Sequence, residues 1–272
     1  MIRAALRRPS GAVGLVLVGL ALLAATLGPA LYGASPLDGD LENRHHGVSK
    51  AFPLGADFLG RDQLARILQG ARTSLGVGLF VAGVTVVIAV AVGLVAGYAG
   101  GIVDSVLMRT ADVFLAFPSL VLALAIAGLL GPSLRNAVIA LIVVWWSGLA
   151  RVIRSEVLAI RRRGYVEAAE SAGGGPVTIA LRHVLPNVSS TIIVLGTLDI
   201  GAVILALAAL SFLGLGNQPP APEWGRMLFD AKPHLQSHPL EMLAPGGAIV
   251  LTVLGFMLLG DALRDASAER SA

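Results

Sequence analysis

A single acidic residue, Asp199, lies inside the long apolar run Val188–Leu215, where a charged side chain is unexpected. A carboxylate near the centre of a bilayer costs about 2.5–3.5 kcal/mol on insertion scales, so it usually faces the bundle interior or a wet cavity. It would suit the path of a cation or of a peptide ammonium. A structural pair with an arginine or a neighbouring subunit is the alternative.

Histidines are the second group with possible chemistry. His234 and His238 are four residues apart, so a helix would place both on one face, with Glu241 nearby, and a His45-His46 pair lies in another loop. Imidazoles bind nickel or zinc well. Because prolines interrupt the region on both sides, solvated loop histidines are our expectation, and a metal site at His234 and His238 is the alternative.

Catalytic patterns are missing from the sequence. No Gly-x-x-x-x-Gly-Lys-Ser/Thr run could cradle nucleotide phosphates, since the triple glycine 173–175 leads into Pro-Val-Thr. There is no cysteine, which excludes disulfides and thiolate catalysis. We therefore predict a chain that is not an enzyme and binds no cofactor directly.

Composition predicts a membrane protein that positions these residues on helices. Of the 272 residues, 56% are hydrophobic and 14% charged, against about 25% charged in soluble domains. Each span needs roughly 20 apolar residues. We predict an all-α, polytopic fold with about six transmembrane helices: Gly11–Leu31, Leu75–Ala96, Val113–Leu130 with a kink at Pro118, Asn136–Ala150, Val188–Leu215 and Met242–Gly260.

Basic residues set the expected orientation. The segment 151–187 carries six arginines, and cytoplasmic loops of membrane proteins are enriched in Lys and Arg. We therefore place this segment and both termini in the cytoplasm. The net charge is only +3 and the arginines form no nucleic-acid patch, so we expect the lipid membrane, and no nucleic acid, as a partner.

The segment 151–187 predicts two short helices separated by a break. Good helix formers from Tyr165 to Ala172 are followed by three glycines, of which Gly173 can take the left-handed conformation after a helix. Pro176 suits the start of a second helix, which Pro186 is expected to break. The small side chains could seat in a cleft of another protein. An interfacial pair resting on lipid headgroups is the alternative.

This segment resembles the EAA motif of bacterial ABC importer permeases. The resemblance rests on Glu167-Ala168-Ala169, on Gly173 six residues after the glutamate, and on the His183 to Asn187 run. It implies a coupling helix that docks on an ATPase subunit. The implied docking residues are Val166, Glu167, Ala168, Ala169, Ser171, Ala172 and Gly173, supported by His183, Leu185 and Pro186. For His183, a capping or buried hydrogen-bonded imidazole is the alternative.

Three further segments are similar to the peptide/nickel (DppC/OppC/NikC-like) branch of these permeases. They are Leu59-Gly60-Arg61-Asp62 with Gly70 to Leu75, Ser211 to Gly216 with Pro222-Glu223-Trp224-Gly225, and Gly260 to Asp265. The resemblance implies the type I importer permease fold in the bacterial plasma (inner) membrane, carrying peptides or nickel. It implies as partners a second permease subunit, one or two ATP-binding subunits that use ATP and Mg²⁺, and an extracytoplasmic substrate-binding protein.

We divide the chain into 1–74 (tail, first helix and outer loop), 75–265 (permease core containing the coupling loop 151–187) and a C-terminal tail 266–272. A self-contained secondary transporter or channel is the alternative function. It predicts intramembrane charge relays or inverted repeats, and this sequence has one acid within its spans and no visible repeat. A membrane anchor for an enzyme complex would not need the spacing from Glu167 to Pro186.

Overall fold

The computed structural model describes residues 5–271 and shows a helical bundle. No strand forms within these residues, where two isolated β-bridges join Gly39 to Arg61 and Ala56 to Asp62. The all-α prediction is confirmed. The helices are α1 Pro9–Thr26, α2 Gly28–Tyr32, α3 Gln63–Ala99, α4 Gly101–Leu115, α5 Ser119–Leu130, α6 Leu134–Arg161, α7 Gly164–Ser171, α8 Pro176–Ile179, α9 Leu185–Phe212, α10 Trp224–Ala231 and α11 Leu240–Ser271.

Five stretches of the described chain are long and apolar enough to cross a membrane. They are α1, α3, α6, the stretch Pro176–Phe212 and α11, and a sixth arises if α4 and α5 together form one broken span. The prediction of about six transmembrane helices is therefore confirmed.

Three predicted spans are longer than expected. The last, predicted as Met242–Gly260, is α11, which continues to Ser271 and takes in the described part of the predicted tail 266–272. Helix α3 begins at Gln63 because the Asp62 carboxylate caps it, accepting a bond from the Ala65 N–H at 2.9 Å. The division that we placed after residue 74 falls inside this helix. Helix α6 continues to Arg161, so residues 151–161 are helical rather than loop. Burial of Ile153, Val157 and Ile160 along one face stabilises this extension.

The predicted span Val113–Leu130 is two helices bent by 85°, not one kinked helix. Helix α4 starts at Gly101, and the chain turns at Ala116–Pro118, which we name the elbow. Proline lacks the N–H that continues a helix, and it pushes the preceding residue out of the helical conformation.

Small residues let the long helices approach closely. A Cβ placed on Gly93 or Gly97 of α3 would lie 2.7 Å from the side chains of Ile153 and Val157 on α6. On α1, a Cβ on Gly14 would lie 2.6 Å from the backbone nitrogen of Leu259 on α11. Such contacts are how membrane helices associate without a hydrophobic driving force.

The bundle has two ends with different chemistry. The coupling end comprises α7, the start of α1 and the final turns of α3, α6 and α11; there the Arg8 guanidinium lies 2.6 Å from the Asp265 carboxylate. The histidine end comprises the loop 33–62 and the segment 231–241. There the side-chain amide of Gln63 donates to the Glu241 carbonyl at 2.8 Å.

Candidate coupling site and solute cleft

Helix α7 is closed by backbone hydrogen bonds at its glycine end. Gly173 has φ +84°, its N–H donates to the Glu170 carbonyl, and the Gly174 N–H donates to the Ala169 carbonyl, both at 3.0 Å. This pair of bonds is the Schellman arrangement, which a left-handed glycine permits. The predicted break between two short helices is therefore present at this position.

Most of the predicted docking residues stand clear of the bundle. Glu167, Ala168, Ser171, Ala172 and Gly173 are exposed, and Ala169 is half-buried. They form what we name the small-residue face of α7. Side chains no larger than serine line most of it, so another backbone could approach closely.

Val166 does not belong to that face. It is fully buried and packs in a cluster with Ile153, Val157, Ile179 and Val184. We expected Val166 to contact a partner. Its apolar side chain faces the bundle instead and anchors α7 to it. It is the single buried side chain of α7.

A polar joint fastens α7 to two long helices. The Arg161 guanidinium donates to the carbonyls of Tyr98 at 2.7 Å and Gly97 at 3.3 Å, and lies 4.6 Å from the centre of the Tyr98 ring. The Tyr98 hydroxyl donates to the Glu170 carboxylate at 3.2 Å. Sequence reasoning missed this joint. The only signal was an arginine near the end of one helix and a tyrosine near the end of another.

The predicted break at Pro186 is wrong. A π turn, Ala180–Val184, joins α8 to α9, and Pro186 lies in the first turn of α9, where proline is tolerated. His183 is half-buried in the π turn, and its carbonyl accepts from the Asn187 side chain at 2.7 Å. Within the described residues, no hydrogen bond reaches its imidazole.

Asp199 opens into a cleft between α6, α9 and the elbow. Asp199 is the single charged residue among those that line this cleft. Its walls include Leu115, Ser119, Trp145 and Ser147. No ion pair or hydrogen bond reaches the Asp199 carboxylate within the described part of the chain, so the structural pair with an arginine is absent there.

Three of the predicted loop histidines, His45, His234 and His238, are half-buried rather than solvated, whereas His46 is exposed. No α-helix spans His234 and His238, yet one turn brings them together through the His238 N–H and the His234 carbonyl, at 2.7 Å. The ring of His45 stacks on that of His238, with centroids 4.0 Å apart. Sequence reasoning placed these side chains in separate loops and did not bring them together.

The Pro222-Glu223-Trp224-Gly225 segment has a structural function. Glu223 caps α10, accepting from the backbone N–H groups of Gly225 and Arg226 at 2.9 Å, and from the Ser74 hydroxyl of α3 at 3.1 Å. Burial raises the pKa of this carboxyl. The segment thus fastens α10 onto α3 by a buried polar contact.

Comparisons with known proteins agree with this architecture. Residues 89–271 match the family described as "Binding-protein-dependent transport system inner membrane component". The chain is 44% identical to the dipeptide transport system permease protein DppC of Alkalihalophilus pseudofirmus, over 93% of this chain and 84% of that one. It is 44% identical to the glutathione transport system permease protein GsiD of Pectobacterium atrosepticum, over 84% and 75%. The Escherichia coli protein of that name is 41% identical over the same shares.

The family match covers the coupling segment, the Asp199 cleft and the C-terminal helix, and it agrees with the type I permease fold. A self-contained transporter or channel is not favoured, since these relatives are permease components of larger systems. The chain belongs to the family of binding-protein-dependent transport system inner membrane components and is a multi-pass permease subunit of an ABC importer.

Proposed function

We propose that this chain forms half of the translocation path of an importer for di- or oligopeptides and couples that path to a separate ATPase. Peptides are preferred over nickel because two relatives that are 44% identical to this chain are named as permeases of dipeptide and glutathione transport systems. The observation that carries the coupling role is the small-residue face of α7, which is exposed while Val166 and the Arg161 joint hold the helix to the bundle.

This attachment suits the transmission of force. A partner that binds the small-residue face would move Glu170, whose carboxylate is bonded to the Tyr98 hydroxyl at the end of α3. Arg161 of α6 is bonded to the backbone carbonyl of the same tyrosine. The close glycine contacts of α3 with α6 make the pair move as one body. A two-state element biased from a remote site is what a switch requires.

The cleft supports the role in the path. Lipid cannot solvate the Asp199 carboxylate or the half-buried Ser119 hydroxyl, so this surface needs water or a second permease subunit against it. A carboxylate within a largely apolar cleft would attract the terminal ammonium of a peptide. We therefore propose that the cleft faces the second permease and lines the path.

The remaining partners follow from this arrangement. The coupling end and both termini face the cytoplasm, where one or two ATP-binding subunits use ATP and Mg²⁺. The histidine end faces the side from which an extracytoplasmic binding protein delivers the peptide.

The coupling role is tested by Ala168→Trp in the complete importer, reconstituted in liposomes with its partner subunits. A bulky ring on the small-residue face should lower peptide-stimulated ATP hydrolysis about 10-fold or more, by preventing close backbone approach. Ile102→Trp is the control, since Ile102 is 83% exposed at the start of α4 and is not among the predicted docking residues. Equal ATP hydrolysis in the Ala168→Trp and wild-type importers would contradict the docking assignment.

The path is tested in the same liposomes by Asp199→Asn. Removing the charge should slow uptake of peptides with a free amino terminus more than uptake of N-acetylated ones. Thr197→Val is the control on the same helix, because the Thr197 hydroxyl is bonded to the Ile193 carbonyl and lies outside the cleft lining. An unchanged uptake profile in Asp199→Asn would assign that residue to structure alone.

A further inference from the structure

Four titratable side chains from two distant parts of the chain meet at the histidine end. His45 comes from the loop 33–62, and His234, His238 and Glu241 come from the start of α11 and the turn before it. The His45 ring lies 4.6 Å from that of His234 and 4.0 Å from that of His238, between centroids. Its Nδ1 lies 2.5 Å from a Glu241 carboxylate oxygen.

The backbone holds His45 in a conformation that few side chains adopt. Its φ is +56°, the single positive value for a non-glycine residue within 5–271. The His45 N–H donates to the Asp57 carbonyl at 3.1 Å, and Gln63 fastens the opposite side by its bond to the Glu241 carbonyl. Left-handed non-glycine residues persist where the surroundings over-determine them, and they cluster at functional sites.

The Glu241 carboxylate lacks the partners that its burial requires. Glu241 is 6% exposed, and its Oε2 atom has no hydrogen-bond partner within the described residues. Buried polar atoms are nearly always paired, so this oxygen points to a ligand or ion beyond the protein's own atoms.

The ligand atoms of three residues are already grouped. One ring nitrogen each from His45 and His238 and one carboxylate oxygen of Glu241 lie within 4.8 Å of one another. The Nδ1 atom of His238 contacts the Ser237 hydroxyl at 3.0 Å, which leaves its other nitrogen available. Metal-binding histidines commonly use the second nitrogen for such an outer partner, because it fixes the ring.

We propose that His45, His238 and Glu241 bind a divalent transition-metal ion of the zinc type, with His234 beside it. Two imidazoles and a carboxylate match zinc, nickel or copper, whereas magnesium and calcium prefer oxygen ligands. The ion takes the place of the proton between His45 and Glu241 and supplies the missing partner for Oε2. It links the loop 33–62 to the start of α11. None of its ligands lines the Asp199 cleft, so it is a resident ion and not cargo.

Zinc titration of the full-length, chelator-treated chain in detergent tests this site. Calorimetry should show one zinc ion per chain at micromolar or lower concentration. His238→Ala and Glu241→Gln should each weaken zinc binding by about 100-fold. Loss of a side chain that only holds a metal ligand in place already weakens binding by about 10- to 100-fold. His46→Ala should bind as the wild type does, because His46 is exposed and its ring contacts Gly47 and Phe52 instead.

A second measurement distinguishes loss of zinc binding from loss of folding. Zinc should raise the thermal unfolding midpoint of the wild type and of His46→Ala, because it binds the folded state, and should leave that of Glu241→Gln unchanged. Glutamine keeps the size of the side chain, so Glu241→Gln still tests the site if the His238→Ala variant fails to fold. Absence of zinc binding to the wild type would overturn the proposal and leave a hydrogen-bonded cluster. An equal zinc response in Glu241→Gln would overturn it too.

Discussion

The candidate sites at the two ends of this permease each depend on one residue in the left-handed conformation, and they use it differently. At the coupling end that residue is Gly173, with φ +84°, and it ends a helix whose other side chains are mostly exposed. At the histidine end it is His45, with φ +56°, and its ring is enclosed by His238 and Glu241. The first arrangement presents a surface to a partner, whereas the second assembles a site from within the chain.

The energetic difference between the ends follows from burial. At the histidine end the Asp57 carboxylate accepts from the Arg61 side chain at 2.8 Å and lies 3.3 Å from that of Arg66, and all three side chains are under 9% exposed. At the coupling end the Asp261–Arg264 pair is more than half exposed. Removing one partner of a buried pair leaves an uncompensated charge, whereas exposed pairs contribute little.

Asp57→Ala should therefore be the most destabilising change at either end. We expect it to lower the free energy of unfolding by about 3–5 kcal/mol, because Arg61 and Arg66 stay buried without their anion. Unfolding of the detergent-solubilised chain, followed by fluorescence during heating, measures this. Asp261→Ala is the control and should cost less than about 1 kcal/mol. Similar losses in the two variants would show that burial does not distinguish the two ends.

Val166→Ala tests whether one apolar contact anchors the small-residue face. The change removes two buried methyl groups, worth about 2 kcal/mol, from the single buried side chain of α7. We expect residues 164–172 to lose protection from hydrogen exchange while the rest of the bundle keeps it. Val48→Ala in the loop 33–62 is the control, since Val48 is 65% exposed. Unchanged exchange in α7 would mean that the Arg161 joint alone holds the helix.

The sequence predicted the coupling end better than the histidine end, for a physical reason. The residues that end α7 are neighbours in sequence, so helix propensity and the three glycines were enough to predict the break at Gly173. His45 and Glu241 are 196 positions apart, and only the packing of the loop against α11 brings them together. Local patterns cannot encode such a contact.

Errors within the helices had a related cause. The prediction ended the fourth span at Ala150 because the arginines that follow resemble a loop, yet Ile153, Val157 and Ile160 continue the buried face to Arg161. The elbow at Pro118 was recognised as a kink, but its 85° angle depends on how α5 packs against α6. Charge patterns mark the ends of apolar runs, which need not be the ends of helices.

Gly173→Ala should have the smallest effect, and it isolates the backbone conformation from packing. A Cβ on Gly173 would meet nothing within 4 Å, so the cost is that of a left-handed alanine, about 1 kcal/mol. A Cβ on Gly175 would also meet open space, but its φ is −69°, which suits any residue.

Gly175→Ala should therefore leave stability unchanged or raise it slightly, because alanine restricts the unfolded chain. We expect faster hydrogen exchange at the amides of Gly174 and at residue 173 in Gly173→Ala only, since these two N–H groups form the bonds that close α7. Peptide-stimulated ATP hydrolysis should fall in the same variant, in proportion to the fraction of chains whose α7 end has opened. If Gly173→Ala and Gly175→Ala show the same hydrogen exchange and the same ATP hydrolysis, the left-handed turn does not hold the coupling surface. The two ends would then differ in burial alone.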